Sequence, residues 1–143
     1  MQLAPGSFLL RAAFAIAPVL GPVMTKASLA EIKVPVRIIV GSKDDQAFPD
    51  VNARPMASAI PNAELEIIPD VAHYTFLARC NLLGKVVARS LCTDPDGIDR
   101  GEVHRRVSAD ALEFFSRTLR GEPAALNLTI PPALVLRANQ IAE

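Results

Sequence analysis

VPVRIIVGSKDDQAFPDVNARPMASAIPNAELEIIPDVAHYTFL, residues 34–77, contains two short apolar runs, and each ends beside a side chain capable of acid–base chemistry. Val36, Arg37, Ile38, Ile39 and Val40 form a largely β-branched run closed by Gly41, which suits a buried parallel strand better than a helix of useful length. Asp44 and Asp45 follow at once. A second run, residues 65–68, is closed by Pro69 and Asp70, and His73 lies just beyond. Between the runs, Asp50 is placed to cap a helix whose apolar positions Val51, Met56, Ala57 and Ile60 precede a Pro61-Asn62 stop. The order is strand, acid, helix, strand, histidine.

Parallel strands joined by a crossover helix deliver their carboxyl ends to one edge of the sheet. Asp44 and His73, distant in sequence, can therefore be neighbours in space. A carboxylate beside an imidazole fixes its tautomer and stabilises the imidazolium, which is the orienting half of a triad of nucleophile, base and acid. Taken singly, each residue has a plainer reading: an aspartate at a strand end commonly caps a turn, and a lone histidine is commonly a satisfied packing residue. Their occurrence together in this order, with the Gly41 stop and the AHYTFL context, favours the paired reading.

Gly41-Ser42-Lys43-Asp44 at a strand end, Asn62-Ala63 before the next strand, and Val71-Ala72-His73-Tyr74-Thr75-Phe76-Leu77 together resemble the C-terminal part of an α/β-hydrolase, nearest to the dienelactone-hydrolase-like family. The resemblance covers about residues 11–119. It implies a partial α/β-hydrolase fold of about three parallel strands with flanking helices, a small ester or lactone substrate and no cofactor. The family acid maps onto Asp44 and the base onto His73. Pro49 falls one residue later than the family's proline, so Asp45 stands as the alternative acid.

The family's nucleophile sits in G-x-S-x-G at a strand-to-helix elbow, earlier in the chain than the acid and the histidine. This sequence has no G-x-S-x-G. Ser7 follows Gly6 without the second glycine, Ser42 lies on the acid loop, and Ser28, Ser58, Ser90, Ser108 and Ser116 carry no such signature. The resemblance thus implies that residues 1–121 are the C-terminal portion of a hydrolase domain whose nucleophile-bearing half and oxyanion-hole amides are absent. FAIAPVLGP resembles the strand and loop that follow the nucleophile's helix, which places a buried strand at residues 13–17. That strand would lack a neighbour, an apolar edge that invites dimerisation, aggregation or low stability unless the tail covers it. The tail, residues 122–143, has Pro131-Pro132 followed by Ala133, Leu134, Val135 and Ile141, enough for a short helix, and Ile130 and Leu134 could cover a groove.

Bulk properties exclude more than they identify. The 143 residues fit one domain with a real core, and 50% apolar with 21% charged residues is globular composition. Fifteen basic residues balance 15 acidic ones, and with no Trp and a single Tyr there is neither a nucleic-acid footprint nor a stacking platform. Residues 12–24 are uncharged but fall short of the ~20 needed to span a bilayer. A signal peptide fits poorly, since residues 1–10 lack Lys and Arg and Pro18 and Pro22 interrupt the apolar run. The sequence leaves localisation open between the cytoplasm and, if a longer precursor carries a signal peptide, the periplasm or secretion.

Residues 25–33 suit a short helix capped by Thr25 with Leu29 and Ile32 on one face. Asp99 and Glu102 form a capping-box pattern, after which Val103, Val107, Ala111, Phe114, Phe115 and Leu119 recur at helical spacing up to Gly121. This helix should pack on the sheet. Residues 78–98 read as irregular and contain both cysteines, Cys80 and Cys92. Zinc spacing is absent, so no metal is expected. The two cysteines fit either a disulfide formed in an oxidising compartment or a pair of buried thiols in a reducing one. His104 reads as a surface or loop-packing residue with no catalytic role.

Two functional classes follow. In one, the chain supplies the acid and histidine of a Ser-His-Asp triad in an acyl hydrolase and is inactive alone. In the other, it is a catalytically dead truncated hydrolase, acting as an interaction module or without function.

Overall fold

The computed structural model describes residues 10–119. Strands β1 (Ala13–Ile16), β2 (Val36–Gly41) and β3 (Ala63–Ile68) form a parallel sheet of order β1-β2-β3. Among the described residues the helices are α1 (Lys26–Ala30), α2 (Ala53–Ala59), α3 (Leu82–Val87), α4 (Arg89–Cys92) and α5 (Arg100–Leu119), with 3-10 turns at Gly21–Val23 and His73–Phe76.

Strand periodicity of two sends alternate side chains to opposite faces. Ala13 and Ala15, Val36, Ile38 and Val40, and Ala63, Leu65 and Ile67 share one face, where Leu29 of α1 and Ala53 and Met56 of α2 cover them with Ile60. On the other face Phe14, Ile39 and Ile68 meet Val103 and Val107 of α5. Phe114, almost fully buried, packs its ring 6.0 Å from that of Phe14 and 5.3 Å from that of Phe115. The sheet is therefore sandwiched between helices, which is why β2 could be apolar on both sides. This is a small α/β fold with a three-stranded parallel sheet.

Arg37 is the exception on β2. It lies on the α5 face and grips Asp110 bidentately at 2.8 and 2.9 Å while also pairing with Glu66. The Asp110 hydrogen bond raises the guanidinium pKa above its ordinary value, against the partial burial that lowers it. Arg106 and Arg117 of α5 reach Glu66 and Glu64 of β3 from the same side.

Several local expectations are corrected. Ala17 adopts φ 46°, in the left-handed region, so β1 stops at Ile16; the strand is half-buried instead of buried. β3 starts at Ala63, ahead of residue 65. Asp50 does not cap α2: its carboxylate accepts from Arg54 Nε at 2.7 Å, and the cap position falls to Asn52, whose side chain makes no capping bond. Asn52 instead accepts from Gly21 N at 3.1 Å and donates to Phe48 O, tying the loop after β1 to the start of α2. Thr25 caps α1 as expected by accepting from Ser28 N, but the helix ends at Ala30, short of residue 33. Residues 78–98 are not irregular throughout, since they hold α3 and α4. Asp99 accepts from Glu102 N at 3.0 Å as the first half of the capping box. No helix among the described residues is long and apolar enough to cross a membrane. Ser7, Gly121 and the tail, residues 122–143, lie outside the described residues.

Candidate active site

The acid loop begins where β2 ends. A Cβ on Gly41 would stand 2.0 Å from the carbonyl oxygen of Val71, so only glycine lets the segment after β3 cross the end of β2 at this distance. That crossing is then fastened: Ser42 N donates to Ile68 O at 2.9 Å and Lys43 N to Val71 O at 3.0 Å. Asp70 sits at φ 60°, its N–H donates to Ser42 Oγ at 2.8 Å, and its carboxylate pairs with Lys43. Gly41 is thus a steric requirement for bringing the histidine loop over the acid loop, beyond its role as a strand stop.

Asp44 is 2% exposed. Its Oδ1 accepts from Gln46 N at 3.0 Å and Ala47 N at 2.6 Å, an Asx-type turn that orients the carboxylate. His73 Nδ1 lies 2.9 Å from Oδ2 and 3.1 Å from Oδ1. A carboxylate only accepts, so Nδ1 carries a proton, and in the neutral imidazole Nε2 then presents its lone pair. Nε2 has no hydrogen-bond partner among the described residues, and the His73 side chain remains 23% exposed. The arrangement can take a proton at Nε2 while Asp44 stabilises the resulting imidazolium. Asp45 is exposed and makes no polar contact among the described residues. Of the two aspartates, the fold pairs Asp44 with His73.

His73 opens the 3-10 turn His73–Phe76, in which Thr75 N donates to Ala72 O and Leu77 N to Tyr74 O. The chain beyond is held by the start of α5. Arg100, 7% exposed, donates to Ala78 O at 3.2 Å, to Leu91 O at 2.9 Å and to the Asp94 carboxylate. His104 Nε2 lies 2.9 Å from Thr75 O. Cys80 and Cys92 form a disulfide with Cα atoms 5.8 Å apart, which decides between the bridge and the buried thiols. Its span of 12 residues encloses α3 and most of α4.

Sequence reading missed Arg100 and gave His104 no role. The signal was there: Arg100, Val103, His104 and Val107 share one face of α5, and a polar residue in a buried stripe must find a partner. Ser42 is committed to Asp70, and no serine, threonine or cysteine among the described residues bonds to Nε2 of His73. A shallow cavity of about 500 Å³ lies beside the acid loop, lined by Asp44, Asp45, Phe48, Arg54 and Ile67, but it does not reach His73. Among the described residues no cluster of three His, Cys, Asp or Glu side chains could hold a metal ion. Neither protein-family models nor curated proteins yield a match to this sequence.

Proposed function

We propose that Asp44 and His73 are the acid and base of a Ser-His-Asp triad of α/β-hydrolase type, acting on a small carboxylic ester or lactone. The observation that carries this reading is the buried Asp44 carboxylate on His73 Nδ1, with Nε2 left for a nucleophile, at the carboxyl ends of two adjacent parallel strands. The nucleophile, a serine or cysteine, comes from polypeptide outside this sequence. It attacks the carbonyl carbon as Nε2 takes its proton, and Nε2 returns that proton to the departing alkoxide. Water then enters by the reverse proton path and frees the acid, so no cofactor is consumed.

The test is turnover of short-chain esters and lactones by the native protein that contains this chain. His73→Ala should lower kcat by about four orders of magnitude or more, and Asp44→Asn by about 10⁴, because the wrong tautomer then faces the nucleophile. Asp45→Asn should leave kcat within a few-fold. Turnover unaffected by His73→Ala would sink the triad.

A second reading is favoured by two features of the described residues: His73 Nε2 has no hydrogen-bond partner among them, and β1 pairs among them only with β2. In it the chain is catalytically silent and works as an interaction module through that strand edge. Intact mass of the native protein separates the two: a value well above 15.3 kDa leaves room for the nucleophile, and one near it favours the interaction module.

A further inference from the structure

His73 stands on a single 3-10 turn, a structure too short to hold its own orientation. It is suspended between two ties. Before it, Val71 O accepts from Lys43 N on the acid loop; after it, Thr75 O accepts from His104 on α5. A carbonyl only accepts, so Nε2 of His104 carries a proton and is the donor. Thr75 is 1% exposed, and among the described residues its hydroxyl has no partner, while its carbonyl bond to His104 links this turn to the long helix. Arg100, one helical turn before His104, is committed to Ala78, Leu91 and Asp94 further along the segment.

We infer that His104 is a positioning residue for His73. Donating to Thr75 O, two residues past the base, it fixes the pitch of the turn and so the approach of His73 Nδ1 to Asp44. It bonds to neither member of the pair and touches no reacting atom. The importance of this tie for turnover rests on the proposed function, but the tie itself is read at His73 without any substrate.

The experiment is solvent exchange of the His73 Nδ1 proton, followed by nitrogen-edited NMR on the full, disulfide-bonded chain. His104→Gln fills similar space and keeps a donor; His104→Leu fills it and keeps none. Exchange should quicken about tenfold in His104→Leu, the scale of one ordinary hydrogen bond, and stay within about twofold in His104→Gln. Equal exchange in a His104→Leu variant that melts cooperatively would overturn the assignment. So would failure of either variant to fold, because His104 would then serve the fold itself. If the native protein turns over no ester while the two variants still differ, the triad reading fails and the positioning tie stands.

Discussion

At the level of Arg37 the α5 face of the sheet runs from Phe14 on β1 to Glu64 on β3, and one row on it runs from Ile16 through Ile39 to Glu66. The two edges of one small sheet thus carry opposite chemistry. At β3 the carboxylates are bound by Arg37, Arg106 and Arg117, and charge along an edge discourages pairing with a foreign strand. At β1 the same face is aromatic and aliphatic, held by Phe114 and Phe115 across the sheet, and Ile16 is 45% exposed. The difference is that β3 carries ion-paired charge along its edge, while β1, which pairs only with β2 among the described residues, carries apolar side chains.

The largest effect should come from removing the aromatic hold on β1. Phe114→Ala deletes a nearly fully buried ring and should cost about 3–5 kcal/mol, measured by denaturant melting. A loss below about 1 kcal/mol would mean that β1 is not held through this cluster. On the charged side, Arg37→Met leaves Asp110 and Glu66 facing an apolar chain. Arg37 is 16% exposed, so part of the penalty of a fully buried broken pair is relieved by water, and a loss of about 1–3 kcal/mol is expected. If Arg37→Met were neutral, the β3 edge would owe its stability to packing alone and the contrast would weaken.

Association tests the contrast directly. Ile16→Lys places a charge at the apolar edge and should change unfolding free energy by no more than about 0.5 kcal/mol, since the position is half-exposed. It should nonetheless shift the purified chain from associated to monomeric in sedimentation analysis. Glu66→Lys at the opposite edge should not act in the same way on association. A wild-type chain that is already a monodisperse, cooperatively melting monomer would break the comparison at the β1 side.

The legible parts of this fold are those where one physical rule acts alone. VRIIV could be read as a doubly covered strand because its β-branched run is almost unbroken, and the acid and histidine followed from parallel topology, which sends both to one sheet edge. The start of β3 was hidden because Glu64 and Glu66 face Arg37 and α5, so burial there depends on partners in distant parts of the chain. α3 escaped notice because it is only 6 residues long and holds Gly84, so the helical spacing of Leu82, Leu83, Val86 and Val87 is too brief to stand out from a loop. Choosing Asp44 over Asp45 required the turn itself: adjacent residues point to different sides, and the backbone donors of Gln46 and Ala47 select one. The tie from His104 to Thr75 links two segments 29 residues apart and leaves no trace in either alone.

The smallest expected effect lies at the start of α5, the helix that serves both edges. The N–H groups of Glu102 and Gly101 hold the Asp99 carboxyl below its ordinary value, with Arg79 and Arg105 adding to the shift. A carboxyl held lower in the folded state stabilises the fold above its unfolded value, and that contribution fades as pH falls through the folded value. Asp99 is exposed, so solvent screens the effect and the change should be slight. Asp99→Asn keeps a capping oxygen but cannot ionise, so its stability relative to wild type should converge at acid pH and fall slightly behind at neutral pH. Because α5 spans Phe14 on one side and Glu66 on the other, any fraying seen by hydrogen exchange should begin in its first turn and reach neither edge. Loss of protection at β3 in Asp99→Asn would instead make the cap part of the charged edge, and the two edges would then differ in helix anchoring as well as in chemistry.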